Sequence, residues 1–315
     1  MRFRELMDGW RVIVVGDRKT PATWAHPGVE FVPWDSPPPI AAHLASGLPF
    51  DAYSRKNIGY LTAIHGGAPF IVDTDDDNYP YDTFGLQLEE VVRGRVVLAK
   101  GWINVYRAYT TARIWPRGLP LEFVAASLDE PLQLGESAEI RCRIQQFLAD
   151  GDPDVDAIYR LVDGREVTFR GAAIILRPGT YSPFNSQNTV WWPLAYRLLY
   201  LPSHVSFRVT DIWRGLIATA VGQAHGWSIA FLPPTVRQER NPHDLLKDFA
   251  DEVPAYLENA RILERLIAAV APTRNDAGAL RAAYEELFAM RLVPKEELDL
   301  VDTWNEALDE IGAPQ

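Results

Sequence analysis

The sequence predicts an α/β domain followed by a helical region. Short apolar runs at residues 11–17 and 69–73 are typical of strands that are covered on both faces. Between them, apolar residues recur at helical spacing over residues 53–65, and Gly66 and Gly67 mark the end of that predicted helix. A strand, a helix and a second strand in this order indicate a βαβ unit, and hence a mostly parallel sheet flanked by helices.

Further strands and a helix are predicted in the middle of the chain. They are strands at residues 95–99, 172–176 and 227–232 and a helix at residues 212–226. The last of these strands is expected to close at Pro233 and Pro234. Residues 137–147 alternate between apolar and polar positions but fit a helix equally well, so both assignments stay open.

The end of the chain consists of apolar stripes at helical spacing. These stripes cover residues 253–270, 280–288 and 298–311. Each stripe has to be buried, and no long flexible linker precedes the first one. We therefore expect a domain at residues 1–243 and a helical region at residues 244–315 that packs against it.

The composition excludes some classes of protein. The chain has 315 residues, and its 31 Lys and Arg face 42 Asp and Glu, a formal net charge of −11. Broad binding to a nucleic-acid backbone is therefore not expected. The one cysteine, Cys142, cannot form an internal disulfide and is expected to be an ordinary buried thiol. No stretch is apolar and long enough to span a bilayer, so we expect a cytoplasmic protein, with homo-oligomerisation left open.

Asp73, Asp75, Asp76 and Asp77 form an acidic run at the end of the second predicted strand. Carboxylates so close together repel each other, and in an apolar neighbourhood this repulsion is costly without a counter-ion. Mn²⁺ or Mg²⁺ would be a suitable partner, because hard divalent cations prefer oxygen ligands. Such an ion could also hold a diphosphate and stabilise it as a leaving group. The alternative is a solvated acidic turn without a ligand.

Two polar segments are expected at the same edge of the sheet as the acidic run. Ligands of parallel α/β sheets bind beyond the carboxyl ends of the strands, and the loop after the first strand and the start of the following helix both reach that edge. Their polar residues are Asp17, Arg18 and Lys19 in the loop and Arg55, Lys56 and Asn57 at the helix start. Basic groups beside a cation site suit a diphosphate, although a solvated helix start would carry the same residues.

Candidate sugar-binding residues lie further along the chain. Amides and aromatic rings are concentrated at residues 183–192, which include Asn185 and Asn188. Amides can hydrogen-bond sugar hydroxyls and aromatic faces can stack on pyranose rings, but a packed structural loop can have the same composition. Asp211 lies before a predicted helix and is either its N-cap or a base that activates an acceptor, and both roles can coexist. Among the histidines, His243 is the best candidate for a third cation ligand.

Several of these segments, taken together, resemble the STELLO family of glycosyltransferases. The matching blocks are residues 16–21, 53–64, 73–78, 188–193, 209–215 and 233–236. The same order of blocks more distantly resembles the reversibly glycosylated polypeptides, which are UDP-arabinopyranose mutases and also carry a Ser-Arg segment before an Asp-Asp-Asp run. The resemblance covers roughly residues 11–245 and is specific as a set.

The resemblance implies a GT-A nucleotide-diphospho-sugar transferase fold with a helical C-terminal extension. It implies that Asp75 and Asp77 bind the metal and that Asp76 lies at the ribose or the sugar. It also implies that the two polar segments face the nucleotide. The residues that it implies at the reacting or acceptor sugar are Asp211, Trp213 and Arg214.

The leading hypothesis is therefore a metal-dependent glycosyltransferase. It would use a UDP- or GDP-linked sugar as donor, Mn²⁺ or Mg²⁺ as cofactor, and a glycan or another hydroxyl compound as acceptor. With Asp211 as base, direct displacement would invert the anomeric configuration. Two alternatives stay open: a nucleotide-sugar mutase, and a catalytically silent scaffold that binds partners through its helical region.

Overall fold

The computed structural model combines a mixed β-sheet with helices and describes residues 2–21, 23–86, 88–241 and 243–314. Its strands are β1 Val12–Val15, β2 Val29–Val32, β3 Ile71–Thr74, β4 Asn78–Pro80, β5 Val91–Val97, β6 Gly101–Trp102, β7 Leu134–Arg141, β8 Ile144–Gly151, β9 Ile174–Leu176, β10 Thr180–Tyr181, β11 Asn188–Trp191 and β12 Ile229–Gln238. Its α-helices are α1 Arg2–Leu6, α2 Pro39–Gly47, α3 Lys56–His65, α4 Leu121–Asp129, α5 Ala157–Val162, α6 Thr210–Ala224, α7 Leu245–Val270, α8 Asp276–Ala289 and α9 Lys295–Ile311. Short 3₁₀ helices lie at Tyr53–Arg55, Val105–Ala108 and Pro193–Leu199.

The main sheet has the strand order β3-β11-β8-β12-β9-β5-β7, with β4 paired to the carboxyl end of β12. Among the described residues, two of its seven pairings are parallel, β8 with β12 and β5 with β9, and five are antiparallel. The α/β class is confirmed, but the prediction of a mostly parallel sheet is wrong. Apolar runs indicate that a strand is covered on both faces, whereas the direction of its neighbour depends on the connections. Residues 137–147 lie mostly in strands β7 and β8 and not in a helix.

The predicted βαβ unit is present only in part. β1 pairs in parallel with β2, with Val12 opposite Val29, and this two-stranded sheet is separate from the main one. α3 nevertheless lies directly on β1, because Gly59 has no side chain: a Cβ atom there would come within 2.8 Å of Val15 Cγ2. The start of α3 therefore lies beside both the loop after β1 and the end of β3, although the two strands belong to different sheets.

β12 continues past its predicted end. It runs through Pro233 and Pro234 to Gln238, and its register with β8 shifts at the prolines. The prolines thus occupy an irregular stretch, where their missing N–H groups cost no regular ladder hydrogen bond. The extension matters for function because it brings Gln238 beside the acidic run.

The helices that follow residue 244 pack against the rest of the chain. α7 lies against α6 and α8, and α9 lies against α2, α3 and α8. Leu263, Tyr284 and Trp304 of these helices belong to the same hydrophobic core as buried residues of the sheet and of α6. The domain boundary at residue 243 stays a prediction.

In the described part of the chain, no helix combines the length and the apolar character that crossing a membrane requires.

The segment 200–209 leads into α6 and is held from two sides. The Asn57 side chain donates to the carbonyl of Leu201 and accepts from its N–H, at 2.9 Å in each case. The buried carboxylate of Glu297 on α9 accepts hydrogen bonds from the N–H groups of Ser203 and His204. The His204 ring contacts the same carboxylate at 2.8 Å. Segment 200–209 is therefore fixed to both α3 and α9.

Replacing Trp304 with alanine should lower the free energy of unfolding by about 3–5 kcal/mol, because it removes a fully buried ring from the shared core and leaves a cavity. Denaturant titration measures this loss. The control is Leu257→Ala on α7, whose side chain is 74% exposed and whose loss should cost no more than about 0.5 kcal/mol. If Trp304→Ala behaves like this control, α9 does not share the core.

The pair of His204 with Glu297 should make stability depend on pH. The hydrogen bond to Glu297 raises the pKa of the His204 imidazole in the folded state. The pair then stabilises the protein fully below the unfolded-state pKa of about 6.5, and this contribution is lost as the pH rises through the folded-state value. The melting-temperature difference between wild type and His204→Ala should be largest near about pH 6 and shrink toward about pH 9. A difference that is independent of pH would show that the histidine contributes only packing.

Candidate active site

The first carboxylate of the acidic run, Asp73, is an internal ion-pair partner. Its side chain is fully buried and lies 2.6 Å from Lys56 Nζ and 3.0 Å from Arg214 Nη1. The Tyr60 hydroxyl donates a further hydrogen bond to it at 2.7 Å. Burial alone would raise the pKa of the Asp73 carboxyl, but the charges of the two cations outweigh burial and lower that pKa. Asp73 is therefore an ionised structural group and has no free face for a ligand.

Asp75 contacts the same lysine from the loop after β3. Its Oδ1 accepts hydrogen bonds from the Tyr53 hydroxyl at 2.5 Å and from Lys56 Nζ at 3.2 Å. Burial raises the pKa of the Asp75 carboxyl to about 6, against the opposing charge of Lys56 and the hydrogen bond from Tyr53. The side chain is 25% exposed, so an ionised carboxylate is accessible here at neutral pH.

Asp77 has one oxygen in use and one without a partner. Its Oδ2 accepts from Gln238 Nε2 at 3.0 Å, whereas its Oδ1 is buried and has no hydrogen-bond partner among the described residues. A buried oxygen that lacks a partner is costly, and a cation would satisfy it. Asp76, between the other two, is exposed to solvent.

Asp75 and Asp77 carry carboxylates, which are the ligand type that hard divalent cations prefer. Mg²⁺ is commonly bound by one or two carboxylates together with phosphate and water oxygens, and Mn²⁺ has the same preference for oxygen. Within the ranges that the structure describes, no three His, Cys, Asp or Glu side chains lie close enough to hold a metal by themselves. His243, the candidate third ligand, pairs instead with Asp248 on α7 at 3.3 Å. The other ligands would therefore have to come from a bound diphosphate and from water.

The two polar segments predicted from the sequence meet beside the acidic run. Asp17, in the loop after β1, lies 3.8 Å from Arg55 Nε at the start of α3. Lys56 follows Arg55 directly, and its ammonium group contacts the acidic run. Arg18 and Lys19 are exposed on the outer side of the same loop. The loop after β1, the start of α3 and the acidic run thus form one continuous rim.

The arginines of this rim differ in their exposure. Arg18 Cζ lies 3.7 Å and Arg55 Cζ 4.7 Å from the centroid of the Phe50 ring. The Arg55 side chain is only 4% exposed, and burial lowers the pKa of its guanidinium against the charge of Asp17. Arg55 is therefore part of the packed rim, whereas Arg18 and Lys19 are exposed to solvent, and Lys19 pairs there with Asp51 at 3.5 Å.

Other residues predicted to face the nucleotide or the sugar are internal supports. Each is buried, and its polar atoms bond to other parts of the protein. These hydrogen bonds join Asn57 to Leu201, Asn185 to Asp154, Asn188 to Thr235, Trp213 to Asn259, and Arg214 to Asp73 and Ser186. The polar partners of these side chains come from distant segments of the fold.

Two comparisons with known proteins bear on this site. Residues 208–314 match the family model of the STELLO glycosyltransferases. The chain is 30% identical over 286 residues to the Arabidopsis thaliana protein named probable glycosyltransferase STELLO2, and 28% identical over 289 residues to the one named probable glycosyltransferase STELLO1. Each alignment covers 82% of this chain and 36% of the relative, so the chain spans about a third of the length of these relatives. The resemblance to the STELLO family is confirmed.

The STELLO match extends beyond the blocks that the motifs identified. The family model covers α6 and also α7–α9, which lie after the last motif. The helical region is therefore related to the same family as the segment that carries Asp211.

Asp211 lies within this STELLO-matched segment, in the first turn of α6. Val209 is the N-cap residue, so the prediction that Asp211 caps the helix is wrong: the helix begins at Thr210. The Asp211 carboxylate accepts hydrogen bonds from Arg117 Nη1 at 3.0 Å and Nη2 at 2.9 Å. It also accepts one from the Ser186 N–H at 3.2 Å, and its side chain is 9% exposed.

Arg117 and Asp154 complete this cluster, and sequence reasoning missed both. Arg117 Nε lies 2.7 Å from Asp154 Oδ1. Burial opposes the charge on the Arg117 guanidinium, but Asp154 and Asp211 outweigh it and raise its pKa. Arg117 is 94 residues away from Asp211, so no local pattern could indicate the contact.

Asp211→Asn should lower the free energy of unfolding by about 1–3 kcal/mol, because the neutral amide leaves the buried Arg117 with one carboxylate fewer. Denaturant titration measures the change. Asp129→Asn provides the control, since Asp129 forms a solvent-exposed pair with Arg113 that contributes at most about 1 kcal/mol. Wild-type stability of the Asp211 variant would mean that the ion pair between Asp211 and Arg117 does not stabilise the folded protein in solution.

Proposed function

We propose that this chain is a glycosyltransferase of the GT-A type that binds a nucleotide-diphospho-sugar together with a divalent cation. The observation that carries the proposal is the meeting of the acidic run with the loop after β1 and the start of α3. Two carboxylates for a cation and basic groups for phosphate then lie along one rim. The similarity to proteins named glycosyltransferases supports the same reaction class.

Asp75 and Asp77 would hold the Mn²⁺ or Mg²⁺. Such a cation would supply positive charge that stabilises a diphosphate as a leaving group. The residues of the chain keep both carboxylates in place beforehand, because Tyr53 and Lys56 hold Asp75 and Gln238 holds Asp77. Side chains that are already fixed lose less conformational entropy when the ligand binds.

The donor is proposed to be a UDP- or GDP-linked sugar. Arg18 and Lys19 are exposed on the rim and would neutralise charge on the phosphate oxygens. Asp76 is exposed in the middle of the acidic run and would accept hydrogen bonds from the ribose or the sugar. Lys56, which the resemblance placed at the nucleotide, would act indirectly, by holding the Asp75 carboxylate in position.

The acceptor is proposed to be a glycan or another hydroxyl compound, with Asp211 as the base of an inverting transfer. The base would take the proton of the acceptor hydroxyl while the sugar leaves the diphosphate. Because Arg117 binds both oxygens of Asp211, one of these hydrogen bonds has to be exchanged for one from the acceptor. Arg117 would then orient the carboxylate through the bond that remains.

Two observations favour a transferase over the alternatives. The matched relatives are named glycosyltransferases, which does not favour a mutase. The buried Asp77 oxygen without a partner, which costs about 1–3 kcal/mol, would gain a partner from a bound cation, and this supports a ligand site over a silent scaffold.

Nucleoside diphosphates should bind at least about tenfold more tightly with Mn²⁺ than with EDTA, because the cation would link the phosphates to the acidic run. Isothermal titration calorimetry with UDP and GDP measures both affinities. Asp77→Asn should remove the difference by taking away the charge of the unpartnered oxygen. Asp82→Asn is the matched control, since Asp82 is an exposed aspartate that pairs with Arg2. Equal affinities in Mn²⁺ and EDTA would overturn the cation-bridged site.

A further inference from the structure

Phe207 is an exposed aromatic residue beside the acidic run. Its side chain is 55% exposed, although burial of a phenylalanine in the core would be favourable. Its ring centroid lies 5.5 Å from that of Tyr53, with the two ring planes at 84°. The Tyr53 hydroxyl donates to Asp75 at 2.5 Å, so Phe207 is one residue removed from a proposed cation ligand.

The backbone that carries Phe207 is fixed before and after it. Segment 200–209 is tied to α3 through Asn57 and to α9 through Glu297. After Phe207, the Arg208 guanidinium lies 2.6 Å from the buried Glu252 on α7. Within this fixed segment the Phe207 ring faces solvent, so its exposure does not follow from a loosely held backbone.

Another aromatic ring of the rim, that of Phe50, is already covered. Phe50 lies under the guanidinium groups of Arg18 and Arg55, at the end of the rim that the loop after β1 forms. Phe207 instead contacts Tyr53, which binds Asp75 of the acidic run, and it lies three residues before the start of α6. Phe207 is thus connected to the acidic run through a single residue, Tyr53, which makes it a candidate surface for a sugar bound there.

We propose that Phe207 is a stacking platform for the pyranose ring of the donor sugar. The inference rests on the proposed function and adds a subsite to it. The C–H face of a pyranose is apolar and flat enough to lie on an aromatic ring, while the sugar hydroxyls point sideways to polar partners. Because segment 200–209 is already ordered, binding would cost little conformational entropy.

Phe207→Ala should weaken the binding of a nucleotide-sugar by about three- to tenfold and leave the binding of the corresponding nucleoside diphosphate unchanged. The probes are UDP with UDP-glucose and UDP-galactose, and GDP with GDP-mannose, each titrated in Mn²⁺ by calorimetry. Phe207→Tyr keeps the ring and should bind the sugar probes like wild type. Phe288→Ala on α8, with a side chain that is 43% exposed, is the control for loss of an exposed phenylalanine.

The outcomes separate this subsite from the proposed function. If wild type binds a nucleotide-sugar and Phe207→Ala binds it equally well, the platform is overturned and the proposed function stands. If Phe207→Ala loses affinity for the nucleoside diphosphate to the same extent, the ring contacts the nucleotide and the sugar platform is again overturned. If wild type binds none of the probes, the proposed function is overturned together with the subsite. An unchanged melting temperature of both variants shows that the comparison is between folded proteins.

Discussion

The site depends on the buried ion pairs of Asp73. A fully buried carboxylate is tolerated only when cations and hydrogen bonds compensate it, and here the compensation comes from Lys56 and Arg214. These residues belong to β3, α3 and α6, so one buried charge ties three elements together. Because either cation alone would leave a buried charge incompletely paired, the three elements have little freedom to shift relative to one another.

The same ion pairs divide the cations of the rim into buried ones and ones that face solvent. Lys56 and Arg214 point inward and form ion pairs with Asp73. Of the rim cations described above, Arg18 and Lys19 are the ones that face solvent. Lys56 also contacts Asp75, so the inner cation sets the position of an outer carboxylate. The acidic run is therefore not a uniform patch of negative charge. Its first member is fully buried, whereas Asp75 is partly exposed and Asp76 is exposed to solvent.

A second set of buried charges ties the helical region to the site. Arg208, at the end of segment 200–209, pairs with Glu252 on α7, and Asp211, three residues later, pairs with Arg117. Glu297 on α9 holds the start of the same segment. The helices after residue 244 thus act on the geometry of the rim, which agrees with the extent of the STELLO match over residues 208–314. Buried ion pairs favour one arrangement strongly because any other leaves a charge without its partner.

The sequence by itself determined what depends on local pattern. Apolar runs and helical spacing identify β1, β3, α3, α6 and the last three helices, and the spacing of charges identifies the acidic run and the two polar segments near it. Only the tertiary structure decided the direction of the strands, the pairing of β1 with β2, and which polar side chains are buried in internal ion pairs. Asp73 and Arg214 are 141 residues apart, and Asp211 and Arg117 are 94 residues apart. A local pattern reports periodicity and burial, whereas the partner of a buried charge is set by the packing of elements that are distant in the chain.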